Sequence, residues 1–208
     1  FAAGTTIVLE NSAASPFPNG DDPLIGEVMQ FRVGARTGPV LKLPAILRRL
    51  VRAYVDRARQ LDLCEDLRAA AVSRTRTFRL KEHMEHHCLN AADFVAVIED
   101  EAGKVLWDEK AAEVPLNAVE RWVFVNETID THPIHLHLVQ FQVEARSGSA
   151  VPAGNAEGPG IWKDTVQVHP GETVQLLARF EGFRGRYPFH CHILEHEDHE
   201  MMRFFETV

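Results

Sequence analysis

Apolar and polar side chains alternate along much of the chain after residue 74, which predicts short β-strands. Side chains alternate in this way over residues 139–144 and over most of 174–180, while residues 121–126 are rich in Trp, Val and Phe. A period of two places one face of each strand in a core. Short strands separated by turns are typical of an antiparallel sandwich or Greek-key barrel. We therefore predict a mainly β domain over residues 74–208.

The first 36 residues also have the composition of β-structure. Two apolar segments, Thr5–Asn11 and Glu27–Val33, flank a turn-rich stretch at residues 15–22. Two or three strands cannot form a stable fold alone. We expect residues 1–36 to pack on protein that lies outside this sequence.

A helical pattern occupies residues 44–71, between the two β regions. Pro44 suits a first helical turn. Apolar side chains recur at helical spacing at Ile46, Leu50, Val51, Tyr54 and Ala58. We interpret residues 37–73 as a helical linker lying on a neighbouring domain, with a docking helix for another protein as the alternative.

Composition and charge exclude several classes of function. The chain has 208 residues, of which 45% are hydrophobic, so it can bury a core without disulfides. Its net charge of −8 argues against a nucleic-acid partner. No apolar run is long enough for a transmembrane helix, so we expect a soluble protein without a membrane partner. The chain begins at Phe1 without the features of a signal peptide, and we expect it to begin inside a larger protein of undetermined compartment.

Histidines surround one of the three cysteines. An odd and sparse set (Cys64, Cys88 and Cys191) is no disulfide framework, and a cysteine flanked by histidines indicates metal or redox chemistry. On an extended chain Cys191 points to one side, and His190 and His192 point to the other. If Cys191 binds one metal, its neighbours can hold different metals a few bonds away. This arrangement suits electron transfer between metal sites.

The residue types around Cys191 favour copper. One thiolate, two imidazoles and a distant thioether make the blue-copper set. This chain offers them as His132, Cys191, His196 and Met201. A structural zinc site usually has more cysteines and no methionine. Zinc would also leave four further histidines unexplained, namely His135, His137, His190 and His192.

Three motifs resemble the C-terminal part of the multicopper oxidase family, which includes laccases, bilirubin oxidases and phenoxazinone synthases. They are His132-Pro-Ile-His135-Leu-His137, Trp162-Lys-Asp-Thr-Val166 and Tyr187-Pro-Phe-His-Cys-His-Ile-Leu-Glu-His-Glu-Asp198, which is followed by Met201. The apolar segments of residues 5–33 resemble the closing strands of that family's middle domain. The resemblance implies a cupredoxin-like fold for residues 74–208 and the end of a second cupredoxin domain for residues 1–36.

The resemblance also implies roles for individual residues. The type 1 copper would be held by His132, Cys191, His196 and Met201. The type 2 copper would take His135, and the type 3 pair would take His137, His190 and His192. The family oxidises phenolic or aromatic donors at the type 1 site. Electrons pass through the cysteine and its flanking histidines to the trinuclear cluster, where O2 becomes water.

Glu197 matches an acidic residue that is implicated in supplying protons to the family's trinuclear cluster. A carboxylate beside a metal-bound oxygen species is suited to proton transfer. The alternative is a solvent-facing glutamate in an acidic loop.

The chain departs from the family in the number of its paired histidines. The family's cluster takes eight histidines, and this chain supplies four, with no further His-X-His pair. We therefore expect a partner, the N-terminal portion of the same enzyme, as a separate polypeptide or a proteolytic fragment.

Two other functions remain open at this point. A single-copper electron-transfer cupredoxin explains the type 1 set but not the four other histidines, and a zinc-stabilised structural domain explains neither fully. A further cluster, His83-Met-Glu-His86-His87-Cys88, is either a surface loop or an accessory metal or substrate site.

Overall fold

Strands make up most of the computed structural model, which describes residues 1–14, 20–21, 26–38, 65–84, 94–148, 157 and 160–208. The strands within these ranges are β1 Thr6–Glu10, β2 Glu27–Arg32, β3 Arg74–Met84, β4 Phe94–Glu99, β5 Lys110–Val114, β6 Val119–Asn126, β7 His132–Leu136, β8 Phe141–Ser147, β9 Thr165–Val168, β10 Thr173–Arg179, β11 Gly185–Cys191 and β12 Met202–Thr207. One short helix, α1, spans Leu194–Glu197. The chain divides into two compact units, residues 1–54 and 55–208.

The first unit contains an antiparallel hairpin of β1 and β2. Ile7 pairs with Phe31 and Leu9 pairs with Met29. Apolar side chains on both strands are exposed, including Leu9, Met29 and Phe31. The predicted strands of this region are confirmed, and its assignment to a middle domain stays a prediction.

The second unit is built from two five-stranded sheets. Their strand orders are β4-β3-β6-β10-β8 and β5-β12-β11-β7-β9. The β3–β6 and β5–β12 pairs are parallel, and the other pairs are antiparallel. The predicted mainly β, cupredoxin-like fold is confirmed.

Aromatic side chains from both sheets form the core between them. The ring centroids of Phe78 and Phe189 lie 4.9 Å apart, and those of Trp122 and Phe189 lie 5.1 Å apart. Trp122 also packs edge-on against Phe205 at 5.5 Å. Each such pair stabilises the fold by roughly 0.5–1.5 kcal/mol beyond the contribution of the apolar area that it buries. Because Phe189 lies two residues before Cys191, this packing anchors the strand that carries the cysteine.

The predicted helical linker lies mostly outside the described residues, since 39–64 are not described. At its end, Leu67–Ala69 form one turn of 3-10 helix, and Ala70 is extended. The predicted α-helix therefore does not reach residue 71. Leu67 is buried, and its backbone N–H donates to Gln142 Oε1 on β8 at 3.0 Å. In the described part of the chain, no helix has the length and apolarity to cross a membrane.

A buried ion pair joins two neighbouring strands of the first sheet. The Arg76 guanidinium donates to both oxygens of Glu120, at 2.7 and 2.9 Å. The Trp122 indole N–H donates to the same carboxylate at 3.0 Å. The two charged side chains are 7% and 1% exposed, so each depends on the other for its charge compensation.

We predict that Glu120→Ala lowers the free energy of unfolding by about 3–5 kcal/mol, because it leaves the Arg76 guanidinium buried without a counter-charge. The matched control is Glu127→Ala, which removes the partner of Arg79 from a pair 47% and 39% exposed. That loss should be at most about 1 kcal/mol. Urea denaturation followed by tryptophan fluorescence measures both, and equal losses would contradict the prediction.

Candidate metal centre

The pairing of β7 with β11 sorts the predicted ligands onto two faces of one sheet. Cys191 lies opposite Ile134, and His190 lies opposite His135. Side chains alternate along each strand, so Cys191 and His132 share the buried face with Ile134. The prediction that Cys191 and His190 point to opposite sides agrees with this register.

Three of the predicted type 1 ligands come together on the buried face. Cys191 Sγ lies 3.7 Å from His132 Nδ1 and 3.8 Å from His196 Nδ1, and the two nitrogens lie 3.3 Å apart. Bonds of about 2.0–2.1 Å to imidazole and 2.3 Å to thiolate, at angles of about 110–120°, separate donor atoms by roughly 3.4–3.8 Å. One ion therefore fits between these three atoms without rearrangement of the side chains.

The segment after Cys191 folds back so that Met201 returns to the cysteine. Helix α1 carries His196, whose backbone C=O accepts the Met201 N–H at 3.1 Å. The Cys191 N–H donates to Met201 C=O at 3.0 Å. Met201 is fully buried. The backbone of the fourth predicted ligand therefore lies next to the backbones of Cys191 and His196.

A second group of imidazoles occupies the opposite face. His137 Nε2 lies 3.2 Å from His190 Nε2, and donor atoms of these two and of His135 lie within 4.8 Å of one another. The His192 ring centroid lies 5.3 Å from that of His190 and 5.6 Å from that of His135. His137 and His192 are exposed. All four histidines assigned by resemblance to the oxygen-reducing cluster thus lie together.

Hydrogen bonds at Nδ1 leave the Nε2 atoms of two of these histidines available to a metal. His135 Nδ1 contacts Asp164 C=O at 2.9 Å and Thr165 Oγ1 at 3.0 Å. His190 Nδ1 contacts Cys191 C=O at 2.9 Å. Because a carbonyl oxygen only accepts, each Nδ1 carries the proton and each Nε2 keeps a lone pair for a metal.

Burial shifts the pKa values of three of the predicted ligands. Burial raises the pKa of the Cys191 thiol from 9.0 to about 12. Burial, followed by the neighbouring His132, lowers the pKa of His196. Burial, followed by His135 and His190, also lowers the pKa of His137. The lowered pKa values favour the neutral, metal-binding form of His196 and His137, whereas binding at Cys191 must displace a proton.

Carboxylates near the centre were not identified from the sequence, apart from Glu197. Glu197 Oε2 lies 3.3 Å from His190 Nδ1. Glu82 Oε1 lies 3.4 Å from His132 Nε2, and Asp130 Oδ2 lies 4.0 Å from His196 Nε2. Burial, and then Glu82, raises the pKa of Asp130. Asp130 precedes His132 by two residues and could have been noticed, whereas Glu82 is distant in the sequence and carries no such signal.

The His83–Cys88 cluster lies largely outside the described residues. The backbone of His83 belongs to β3, while His86, His87 and Cys88 are not described. Its two interpretations, a surface loop and an accessory site, both stay predictions.

We predict that the Cys191 thiol is nearly unreactive in the metal-free chain, because the thiolate is the reactive form. In a Cys64→Ser, Cys88→Ser background, iodoacetamide at pH 8 should modify Cys191 at least ~100-fold more slowly than in the same chain unfolded in urea. A pKa that folding raises also means that the metal-free fold loses stability as pH rises from 9.0 toward about 12. Equal rates of modification would contradict the prediction.

Comparison with known proteins agrees with this geometry. The family model for multicopper oxidases matches residues 76–208. A laccase from Bacillus stratosphericus is 47% identical over 117 residues, which cover 49% of this chain and 23% of that protein. A bilirubin oxidase from Albifimbria verrucaria is 46% identical over 99 residues, which cover 47% of this chain and 17% of that protein.

A solved structure, the McoA multicopper oxidase from the hyperthermophile Aquifex aeolicus, resembles the whole chain. Its TM-score is 0.63 at 25% identity, and the match covers 100% of this chain and 41% of that one. The chain therefore spans less than half the length of these three relatives. On the match over residues 76–208, the chain belongs to the multicopper oxidase family.

Proposed function

We propose that this chain is the C-terminal part of a laccase-like oxidase that takes electrons from phenolic or aromatic donors and uses them to reduce O2 to water. One observation carries the proposal. Two groups of metal-binding side chains lie on opposite faces of the β7–β11 pair, and Cys191 and His190 are adjacent in the chain at the point where the groups meet. A single-metal protein has no need of the second group.

The assignment of copper ligands follows the two groups. The type 1 copper would be held by His132, Cys191, His196 and Met201. The other coppers would be held by His135 (type 2) and by His137, His190 and His192 (type 3). When bound, copper supplies one-electron oxidation of the donor at the first group and four-electron reduction of O2 at the second. The trigonal donor set with a methionine nearby favours copper over zinc at the first group.

Cys191 and His190 form the connection between the groups. They are consecutive residues, and the His190 Nδ1–H also donates to the Cys191 carbonyl at 2.9 Å. The route from the sulfur to the imidazole is therefore short through covalent bonds and is closed by a hydrogen bond. Both side chains are buried, so water does not separate them.

The donor would bind beside the outer edge of His196. Two exposed apolar side chains are close in sequence to the residues of this edge: Ile129, 73% exposed, precedes Asp130, and Leu194, 68% exposed, lies two residues before His196. Asp130 lies 4.0 Å from His196 Nε2. A carboxylate at this edge can accept a hydrogen bond from a phenol or an aromatic amine, which must lose a proton when it is oxidised. These features support an aromatic donor with an ionisable N–H or O–H group.

Glu197 would deliver protons on the other side of the centre. Its carboxylate is 24% exposed and lies 3.3 Å from His190 Nδ1. It can therefore exchange protons with solvent and still reach the face where the second group of histidines lies.

The remaining histidines would come from the N-terminal portion of the enzyme, in the same or a separate polypeptide. The exposure of His137 and His192 supports this, because imidazoles with free access can complete a site at an interface. The greater length of the relatives supports it too. A single-copper electron carrier is the alternative function, and it accounts for the first group alone.

We predict that the isolated chain binds copper at Cys191 with an intense visible thiolate–copper band, which Cys191→Ser abolishes. A phenolic donor such as 2,6-dimethoxyphenol should bleach the band, because the site accepts an electron. Sustained O2 uptake should be absent, because half of the second site is missing. Absorption spectra, metal analysis and an oxygen electrode measure these three properties.

The outcomes separate the candidate functions. Zinc binding without colour would contradict the copper assignment. Four bound coppers with sustained O2 reduction by the isolated chain would contradict the need for an N-terminal portion. Failure of the full-length enzyme to consume O2 would favour the electron carrier.

We predict that Glu197→Gln in the full-length enzyme lowers the rate of O2 reduction by about 10²–10⁴-fold and leaves the visible band unchanged, because the amide cannot transfer protons. The matched control is Glu195→Gln, an exposed glutamate of the same helix. It should keep the wild-type rate. Equal rates of O2 reduction in the two variants would show that Glu197 is a solvent-facing glutamate without a role in proton transfer.

A further inference from the structure

The loop between β6 and β7 buries the Thr128 side chain, which contacts the outer nitrogen of His132. Thr128 Oγ1 lies 2.7 Å from His132 Nε2, and Asn126 at the end of β6 contacts Thr128. Asn126, Thr128 and His132 are 1%, 8% and 0% exposed. Because water has little access, the hydrogen atoms of this group can be assigned from its donors and acceptors alone.

The Asn126 amide has one orientation. Its Nδ2 donates to Asp130 C=O at 2.7 Å and to Val168 C=O at 2.9 Å. Both partners are carbonyl oxygens, which only accept, so the amide nitrogen must lie on that side. Asn126 Oδ1 then faces Thr128 and accepts from its backbone N–H at 2.9 Å.

The Thr128 hydroxyl therefore donates its proton to Asn126. Thr128 Oγ1 lies 2.8 Å from Asn126 Oδ1, an atom that can only accept. The other acceptor, Asp130 C=O, is farther away at 3.3 Å and already accepts from Asn126. Of the two lone pairs on Thr128 Oγ1, one accepts the Asp130 N–H at 3.2 Å, and the second faces His132.

His132 Nε2 must therefore carry a hydrogen. It donates to Thr128 Oγ1 at 2.7 Å. The buried Glu82 Oε1, which has no hydrogen-bond partner among the described residues, lies 3.4 Å away. A neutral imidazole has one N–H and one lone pair. The lone pair is then on Nδ1, which faces Cys191 Sγ at 3.7 Å and His196 Nδ1 at 3.3 Å.

We propose that Thr128, oriented by Asn126, is a positioning residue that fixes His132 in the Nε2–H tautomer and so presents Nδ1 to the metal. The role of this arrangement in metal binding rests on the proposed copper site, whereas its hydrogen-bond geometry does not. Residues that orient a metal-binding histidine typically contribute 10–100-fold to metal affinity.

The first test is the tautomer itself in the metal-free chain. Long-range proton–nitrogen NMR of 15N-histidine-labelled protein at pH 8 distinguishes a protonated Nε2 from a protonated Nδ1. We expect His132 to be protonated at Nε2 in the wild type and in Thr128→Ser, which keeps the hydroxyl. In Thr128→Val, which has nearly the same shape and no hydroxyl, the Nδ1–H form should appear.

The second test is copper affinity, measured by competition with a chelator and by the visible band. Thr128→Val should weaken binding by about 10–100-fold, and Thr128→Ser should restore it. The control is Thr207→Val on β12. It removes a buried hydroxyl that donates to Phe183 C=O at 2.6 Å. It should unfold more easily than the wild type but bind copper with unchanged affinity. If Thr128→Val does not fold, Thr128→Ala takes its place in both tests, because alanine is smaller and also lacks the hydroxyl.

Two results would overturn the inference. One is a wild-type His132 protonated at Nδ1, and the other is wild-type copper affinity in the hydroxyl-free variant. A chain that shows the Nε2–H tautomer but binds no copper would instead refute the proposed function and leave the tautomer assignment intact.

Discussion

The register between β7 and β11 is the constraint on which the candidate metal centre depends. Cys191 opposite Ile134 and His190 opposite His135 place thiol and imidazoles on opposite faces of one sheet. Because side chains alternate with a period of two, a slip of one residue in either strand would exchange its two faces. The aromatic core opposes such a slip in β11, since it would turn Phe189 away from its contacts with Phe78 and Trp122. Hydrophobic packing thus determines which residues can bind metal together.

Burial then determines how the two faces differ chemically. The first group lies in the core, where His132, Cys191 and His196 are buried and the Cys191 sulfur lies 3.7 and 3.8 Å from the two Nδ1 atoms. The second group lies at the surface, where His137 and His192 are open to further ligands. A closed site favours fast electron exchange with little rearrangement, and an open site favours the binding of small molecules. The proposed division of labour between the groups follows from this difference in exposure.

Much of this arrangement could be predicted from the sequence, because strand periodicity determines the relative direction of Cys191 and His190 without knowledge of the fold. The strand at residues 174–180 was likewise evident from alternation and the strand at 121–126 from its Trp, Val and Phe content, as β10 and β6 show. Contacts between distant segments were not evident. Glu82 reaches His132 only because β3 pairs with β6, and no local pattern encodes that pairing. The helical pattern up to residue 71 was overridden at its end, where Leu67 packs against the sheet instead.

Anomalous diffraction from copper-loaded crystals of the chain would locate each metal atom. We expect one copper peak among His132 Nδ1, His196 Nδ1 and Cys191 Sγ. A separate peak should lie on the opposite face of the sheet, beside His135, His137 and His190. Copper that binds only at the surface histidines, with Cys191 left free, would contradict the assignment of two metal sites to the two faces.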